Sequence, residues 1–237
     1  MPLGNVYLLP NVLVNDDAQA LACLPSYIQQ QAAECHCFFV ETLTTARRYL
    51  KKIWPAIVID NYPFTVIHKC EQEVVTQFIQ ALQAGKNIGI ISDAGCPGIA
   101  DPGQILVEHA QKLGAKIVPL VGPNSILLAL MASGMNGQSF QFVGYLPIDK
   151  TDRKKAILQL ENYSAKNHCT QICIETPYRN MALLEEILST CQGKTQLCIA
   201  ANITGQAEYI VTKTIHDWKK TRLPNLHKQP VIFLLLA

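Results

Sequence analysis

Ser92-Asp93-Ala94-Gly95-Cys96-Pro97-Gly98-Ile99-Ala100-Asp101-Pro102-Gly103 places three glycines, two prolines and two aspartates at the end of the apolar run 87–92, NIGIIS. A short β-branched run of that kind reads as a buried strand. Asp101 followed by Pro102 reads as a helix start, with the carboxylate as N-cap and the proline at the first helical position. The stretch is therefore a strand–loop–helix joint at the carboxyl edge of a sheet, where open α/β folds take their ligands. Glycines let the main chain approach a ligand closely, and prolines fix the shape of the loop beforehand. The loop carries no Lys or Arg, Asp93 repels phosphate, and neither GxxxxGK[ST] nor GxGxxG is present, so P-loop and dinucleotide chemistry are unsupported. Two readings stay open: an ordinary turn, or a site for a ligand that is uncharged or positive near the loop.

Outward from this joint, short apolar runs alternate with helix-period segments, the pattern of an α/β protein with parallel strands. Strands are expected at 6–9, 37–40, 87–92, 116–120, 140–145, 171–175, 197–201, 207–212 and 231–236. Helices are expected at 44–54, 71–84, 104–113, 125–135, 152–160 and 180–190, with a short one near 216–220. Gly85 and Gly114 are placed to stop two of them. The Val121-Gly122-Pro123 break divides the chain into an N-terminal α/β domain, 1–121, and a C-terminal one, 122–237.

Composition bounds the function. Of 237 residues 49% are hydrophobic and 16% charged, so a real core is available and general disorder is excluded. A net charge of +2 excludes a polycationic packaging protein but not a local nucleic-acid patch. Residues 1–150 carry nine basic and eleven acidic side chains (−2) and residues 151–237 eleven and seven (+4), so the second half suits an anionic partner better. Nine cysteines, an odd number with no CxxC pair, fit a reducing compartment and buried small hydrophobes. Cys35-His36-Cys37 alternates across a strand and does not converge on one metal, so no metal site is expected. The longest apolar run, 231–237, is far shorter than the ~20 residues that span a membrane, so no membrane is expected, and the location expected is cytoplasmic. His36, His68, His109, His168, His216 and His227 fall in no catalytic spacing.

Three further turns have the same small or rigid character: Val121-Gly122-Pro123-Asn124-Ser125, Glu175-Thr176-Pro177-Tyr178-Arg179 and Ala200-Ala201-Asn202-Ile203-Thr204-Gly205. Thr176 can cap, and Pro177 start, a helix. Four such turns at strand ends could converge on one cleft. Arg47, Arg48, Lys51 and Lys52 share helical spacing, and Lys150, Arg153, Lys154 and Lys155 cluster further on; each set is either an RNA contact or a solvated helix face.

ISDAGCPGIADPG, PLVGPNSILLALMASG, FVGYLP and IETPYR, in this order, resemble successive motifs of the ribosomal RNA small-subunit methyltransferase I family, which is similar to the tetrapyrrole methylases. The resemblance implies two α/β domains of that type with a cofactor cleft between them, a homodimer, S-adenosylmethionine (SAM) as cofactor and a ribosomal RNA substrate methylated on a ribose 2′-hydroxyl. Carried over by position, the cofactor set is Pro10, Ala94, Gly95, Cys96, Ile99, Asn124, Ser125, Ile174, Ile203, Pro230 and Val231. Glu41, Arg47 and Asp93 fall on the substrate side, Glu175 is the candidate base, and Arg179 orients it or the substrate. Where long members carry Thr-Pro-Ile-Gly-Asn, this chain keeps only Pro10, and of Glu-Asp-Thr-Arg it keeps Glu41. Alternatives are a SAM methyltransferase for a tetrapyrrole-like small molecule or a protein side chain, and a non-catalytic SAM- or RNA-binding module.

Overall fold

The computed structural model describes residues 2–14, 18–67 and 72–237. His68, Cys70 and Glu71, three positions read above, lie outside the described residues. The chain forms two compact units, Met1–Asn124 and Ser125–Ala237, both α/β. The division falls three residues beyond the Val121-Gly122 break. Residues 122 and 123 stay with the first unit, because their carbonyls accept bonds from the Cys96 thiol and Gly122 lies against the Pro10 ring.

The first unit holds five parallel strands, β1 (Val6–Leu9), β2 (Cys37–Val40), β3 (Phe64–Val66), β4 (Ile88–Ile91) and β5 (Ile117–Pro119), in the order β3-β2-β4-β1-β5. Successive side chains alternate between faces. Val6, Cys37, Phe39, Ile88 and Ile90 meet Val74, Val75, Phe78 and Leu82 of α3 (Gln72–Gln83) and Leu106 and Ala110 of α4 (Gln104–Leu113). Tyr7, Leu9, Phe38, Val40 and Ile91 meet α1 (Ile28–Ala33) and α2 (Leu43–Ile53) on the other face. Buried on both sides, these strands read as continuous apolar runs, as parallel sheets do. Gly85 and Gly114 both adopt positive φ; the amides of Lys86 and Ala115 reach back to Ala81 and Ala110, which closes α3 and α4.

The second unit departs from the expected parallel arrangement. Its strands, β6 (Phe140–Tyr145), β7 (Thr170–Ile174), β8 (Gln196–Ala201), β9 (Tyr209–Thr214) and β10 (Val231–Leu236), run in the order β6-β7-β10-β8-β9. Only β6 and β7 pair parallel; β10 is antiparallel to both its neighbours, and β8 to β9. The β8–β9 pairing follows from connection length, since a short turn can join only antiparallel neighbours and no helix lies between these two strands. One face, through Val231, Phe233 and Leu235, packs on Ile157 of α6 (Lys150–Asn167), on Leu183, Leu184 and Ile187 of α7 (Asn180–Thr190), and on Trp218 of α8 (Ile215–Trp218). Helix α5 (Ser125–Ser133) contacts β8, β9 and β10, and Thr212 ties β9 to it by donating to the Ser133 carbonyl.

Other differences are local. Helix α4 begins at Gln104 with Gly103 as N-cap, not at Pro102. The Asp101 carboxylate is already used, accepting from Gly98 and Gly103 amides at 2.8 and 2.7 Å. Thr176 and Pro177 form a turn closed by Arg179 N–H to the Thr176 carbonyl, and α7 starts three residues after Pro177. Helix α6 outruns the expected 152–160 at both ends, capped by Asp149 accepting from the Asp152 amide. Strand β3 and helix α1 were not expected at all.

Gly89 is required by packing rather than by its dihedrals. A Cβ there would stand 2.6 Å from Phe38 Cδ1 and 2.8 Å from Leu9 Cδ1, both fully buried. Gly89→Ala is expected to lower the unfolding free energy by about 1–3 kcal/mol in a urea titration. Gly137→Ala, where a Cβ meets nothing within 4 Å, leaves it unchanged.

Candidate functional site

Because β1, β2, β4 and β5 are parallel, their carboxyl ends share one edge of the first unit, and the loop 92–103 lies across it. Asn11 fixes that loop. It forms an antiparallel bridge with Gly95, N–H to carbonyl in both directions at 2.8 and 3.2 Å. Its side-chain amide donates to the carbonyls of Ser92 (3.1 Å) and Asp93 (3.0 Å). Asn11 is buried, so these bonds form out of competition with water. Gly95 meets the bridge at φ +71°, a conformation that favours glycine.

Two more strand ends hold the loop. From β2, Glu41 Oε2 accepts from the Asp93 amide (2.8 Å), and the Thr42 hydroxyl donates to Asp93 Oδ2 (2.7 Å). From β5, the carbonyl of Pro123 accepts from the Cys96 thiol (3.4 Å). A Cβ on Gly122 would lie 2.1 Å from Pro10 Cβ, so only glycine lets these two segments touch. Pro10 is fixed from below as well, its carbonyl accepting from the buried Tyr49 hydroxyl. Pro10, Ala94, Gly95 and Cys96 thus lie in one bonded assembly at the sheet edge, with Asn124 two residues past Gly122, while Ile99 in the same loop is half-exposed.

Electrostatically this edge is acidic. Burial pushes the Glu41 carboxyl above the usual carboxylate range; the Asp93 amide bond opposes that, and the charges of Asp93 and Asp101 add to it. Burial raises Asp101 likewise, against the amide bonds from Gly98, Gly103 and Ile99. Carboxyls perturbed in this way cluster at functional sites. Glu41 and Asp93 are brought together, whereas Arg47 is not among these contacts: its guanidinium lies over the Phe64 ring, 5.4 Å from the centroid. Lys51 Nζ donates to the Ile57 carbonyl at 2.5 Å.

In the second unit the strand register gathers a second group. Ile174 pairs with Ile232, and Val231 with Ala201, so the end of β7, the start of β10 and the end of β8 share an edge. Asn202 N–H donates to the Pro230 carbonyl (3.0 Å), and Ile203 follows in the turn, buried. Ser125 opens α5. Beside them Glu175 Oε1 accepts three bonds, from the Thr176 amide (2.6 Å), Arg179 Nε (3.0 Å) and Arg179 Nη2 (2.7 Å). Its side chain is fully buried and Oε2 has no partner among the described residues, while Arg179 keeps about a third of its side chain exposed. The adjacent buried Asn180 amide holds the loop 226–229 through the carbonyls of Leu226 and Gln229.

Of the second basic cluster, Lys150, Lys154 and Lys155 stay exposed and only Arg153 is withdrawn from the surface. Arg153 is buried, paired with Glu186 and donating to the Ile148 carbonyl, and Lys155 pairs with Asp152. Among the described residues no group of three or more His, Cys, Asp or Glu could hold a metal, and no helix is long and apolar enough to cross a membrane. Sequence reasoning missed Asn11, Thr42 and Tyr49. An asparagine two residues past a buried strand was the available signal for the first; the other two act through contacts remote in sequence.

A family model described as Tetrapyrrole (Corrin/Porphyrin) Methylases matches residues 11–218. The ribosomal RNA small subunit methyltransferase I of Vibrio cholerae serotype O1 is 34% identical over 163 residues, 69% of this chain and 55% of that protein. Its namesake in Bacillus subtilis (strain 168) is 35% identical over 174 residues, 72% and 56% of the two chains. This chain spans about half the length of the curated relatives it matches. Among solved structures, a diphthine synthase aligns with a TM-score of 0.70 at 11% identity, over 99% of this chain and 90% of that one. A uroporphyrin-III C-methyltransferase from Thermus thermophilus, complexed with S-adenyl homocysteine, aligns at 0.55 and 14% identity, over 99% and 98%. These likenesses show a shared fold, and with the family match over most of its length the chain belongs to the tetrapyrrole (corrin/porphyrin) methylase family.

Proposed function

We propose that this chain is a SAM-dependent methyltransferase acting on a ribose 2′-hydroxyl of small-subunit ribosomal RNA. The observation that carries the reading is the Asn11–Gly95 bridge, which presents the 92–103 loop as fixed main chain at an acidic sheet edge. Such a cradle suits a cationic ligand recognised by peptide groups, and the sulfonium of SAM is one. SAM, when bound, supplies an already activated methyl group. Pro10, Ala94, Gly95, Cys96, Ile99 and Asn124 in the first unit, with Ser125, Ile174, Ile203, Pro230 and Val231 in the second, are the residues assigned to hold it. The RNA substrate rests on the names of the curated relatives and on the exposed cations of α2.

The chain's own contribution is alignment of the reacting groups, since the donor brings its own reactivity. Three donors on Oε1 suit Glu175 to positioning Arg179, whose partly exposed guanidinium is offered to the substrate side. A proton-accepting role for Glu175 would have to use Oε2. Self-association as a homodimer and a cytoplasmic location belong to the same reading. Exposed Leu127 and Met131 on α5 support the former.

Calorimetric titration tests the cofactor: the parent is expected to bind SAM, and Asn11→Ala to weaken it about 10- to 100-fold, because two loop carbonyls lose their donor. Absence of SAM binding by the folded parent overturns the reading. Glu175→Gln is expected to lower the methylation rate while leaving the shape of the pH–rate profile intact; loss of its acidic limb would instead make Glu175 the base. Glu41 is raised in the folded state, so its stabilising contribution is present below the unfolded pKa and is lost as pH rises through the folded one. Glu41→Gln keeps an acceptor for the Asp93 amide and removes the buried charge. Urea titrations should therefore show a variant at least as stable as the parent at pH 7, with that advantage gone at pH 3.5.

A further inference from the structure

The side of α2 that faces the loop borders a cavity of about 250 Å³, which Asn11 and Val12 line where β1 ends, next to the bonds that hold the loop. Thr45, Tyr49 and Lys52 of α2 line it at helical spacing; Leu13 and Leu21 add apolar lining, and Asp93 stands at the sheet edge. The volume is below the about 300–1,000 Å³ of pockets for drug-sized ligands, and it suits one small ring system rather than an extended chain. Its polar groups are fixed in advance. The Tyr49 hydroxyl is bonded to the Pro10 carbonyl, which immobilises the ring, and Asp93 is held through its amide by Glu41 and through Oδ2 by Thr42. Arg48 and Lys52, one turn apart and both exposed, extend from the mouth along the helix surface.

Cations at the mouth and a carboxylate within make an electrostatic sequence that a nucleic-acid strand can match: phosphate outside, an uncharged group inside. A phosphate could not itself enter past Asp93, whereas a base or ribose can place donors on that carboxylate and its apolar face against Leu13 and Leu21. Enzymes that act on one nucleotide commonly extrude it from its neighbours into a fitted pocket. We propose that this cavity receives a single nucleoside of the RNA substrate, with the flanking phosphates on Arg48 and Lys52. The proposal rests on the reading of the chain as an RNA methyltransferase, and it places a substrate pocket beside the donor-binding loop.

The test is a binding measurement that needs no turnover. Each ribonucleoside 5′-monophosphate is titrated by calorimetry into the protein saturated with S-adenosylhomocysteine, so that adenosine subsites of the donor are filled. The parent is expected to bind at least one with a millimolar Kd. Leu21→Trp, which fills the cavity, should weaken that binding at least tenfold with SAM affinity within twofold of the parent. Thr45→Phe repeats the test from α2 should Leu21→Trp fail to fold. Lys52→Glu should weaken the monophosphate at least fivefold and the corresponding free nucleoside less than twofold. The proposal is overturned if no monophosphate binds the parent, if both filling variants bind like the parent, or if filling the cavity abolishes SAM binding, which would make it part of the donor site. A parent that binds monophosphate but transfers no methyl group to ribosomal RNA would instead defeat the functional reading and leave the pocket standing.

Discussion

One buried asparagine organises the first unit's working edge. With its backbone Asn11 extends β1 into a bridge with Gly95, and with its side chain it satisfies two carbonyls of the loop that leaves β4. A glycine- and proline-rich loop has few side chains to anchor it, so its shape depends on what its peptide groups bond to. Here those groups are taken by Asn11 from β1 and Glu41 from β2, while Thr42 and the carbonyls after β5 hold the loop's Asp93 and Cys96 side chains. The parallel sheet makes this possible, since it brings four chain-distant carboxyl ends to one border.

Polar residues in this edge are thereby divided between building and binding. Glu41, assigned from sequence to the substrate, spends a carboxylate oxygen on the Asp93 amide; Arg47, assigned likewise, lies on the Phe64 ring. In the second unit Glu175 and Arg179 are mutually engaged, and Arg153 is sealed under Glu186. Charged side chains that look available in a linear sequence are consumed by the need to pair whatever is buried. What remains open to a ligand is mostly main chain, the exposed Arg48 of α2 and the small cavity beside that helix.

That division explains how far the sequence could be read. Strands β1, β2, β6 and β10 and helices α4 and α7 are legible to the residue, because each is an apolar run or amphipathic segment bounded by Gly, Pro or polar turn residues. Strand β3, three residues long and only half-buried, offers too short a pattern to register, and α1 is a six-residue helix without a capping side chain. The antiparallel pairing of β10 was illegible because apolar composition reports burial and not direction. Likewise Asp101 and Thr176 carry good capping chemistry, yet each serves a turn before the helix, a choice between competing local bonds that composition does not decide.

Strand order also sets a timetable for the nascent chain. Every strand of the first sheet has been made by residue 119, whereas the middle strand of the second is residues 231–236. At bacterial-to-eukaryotic synthesis rates the interval is on the order of ten seconds. For that time β7 on one side and β8 with β9 on the other are ribbons missing their shared neighbour, with unpaired amides and carbonyls along both inner borders. Completion of the second sheet is therefore gated by synthesis of β10, and any agent that shields open sheet borders during translation acts on the second unit far more than on the first.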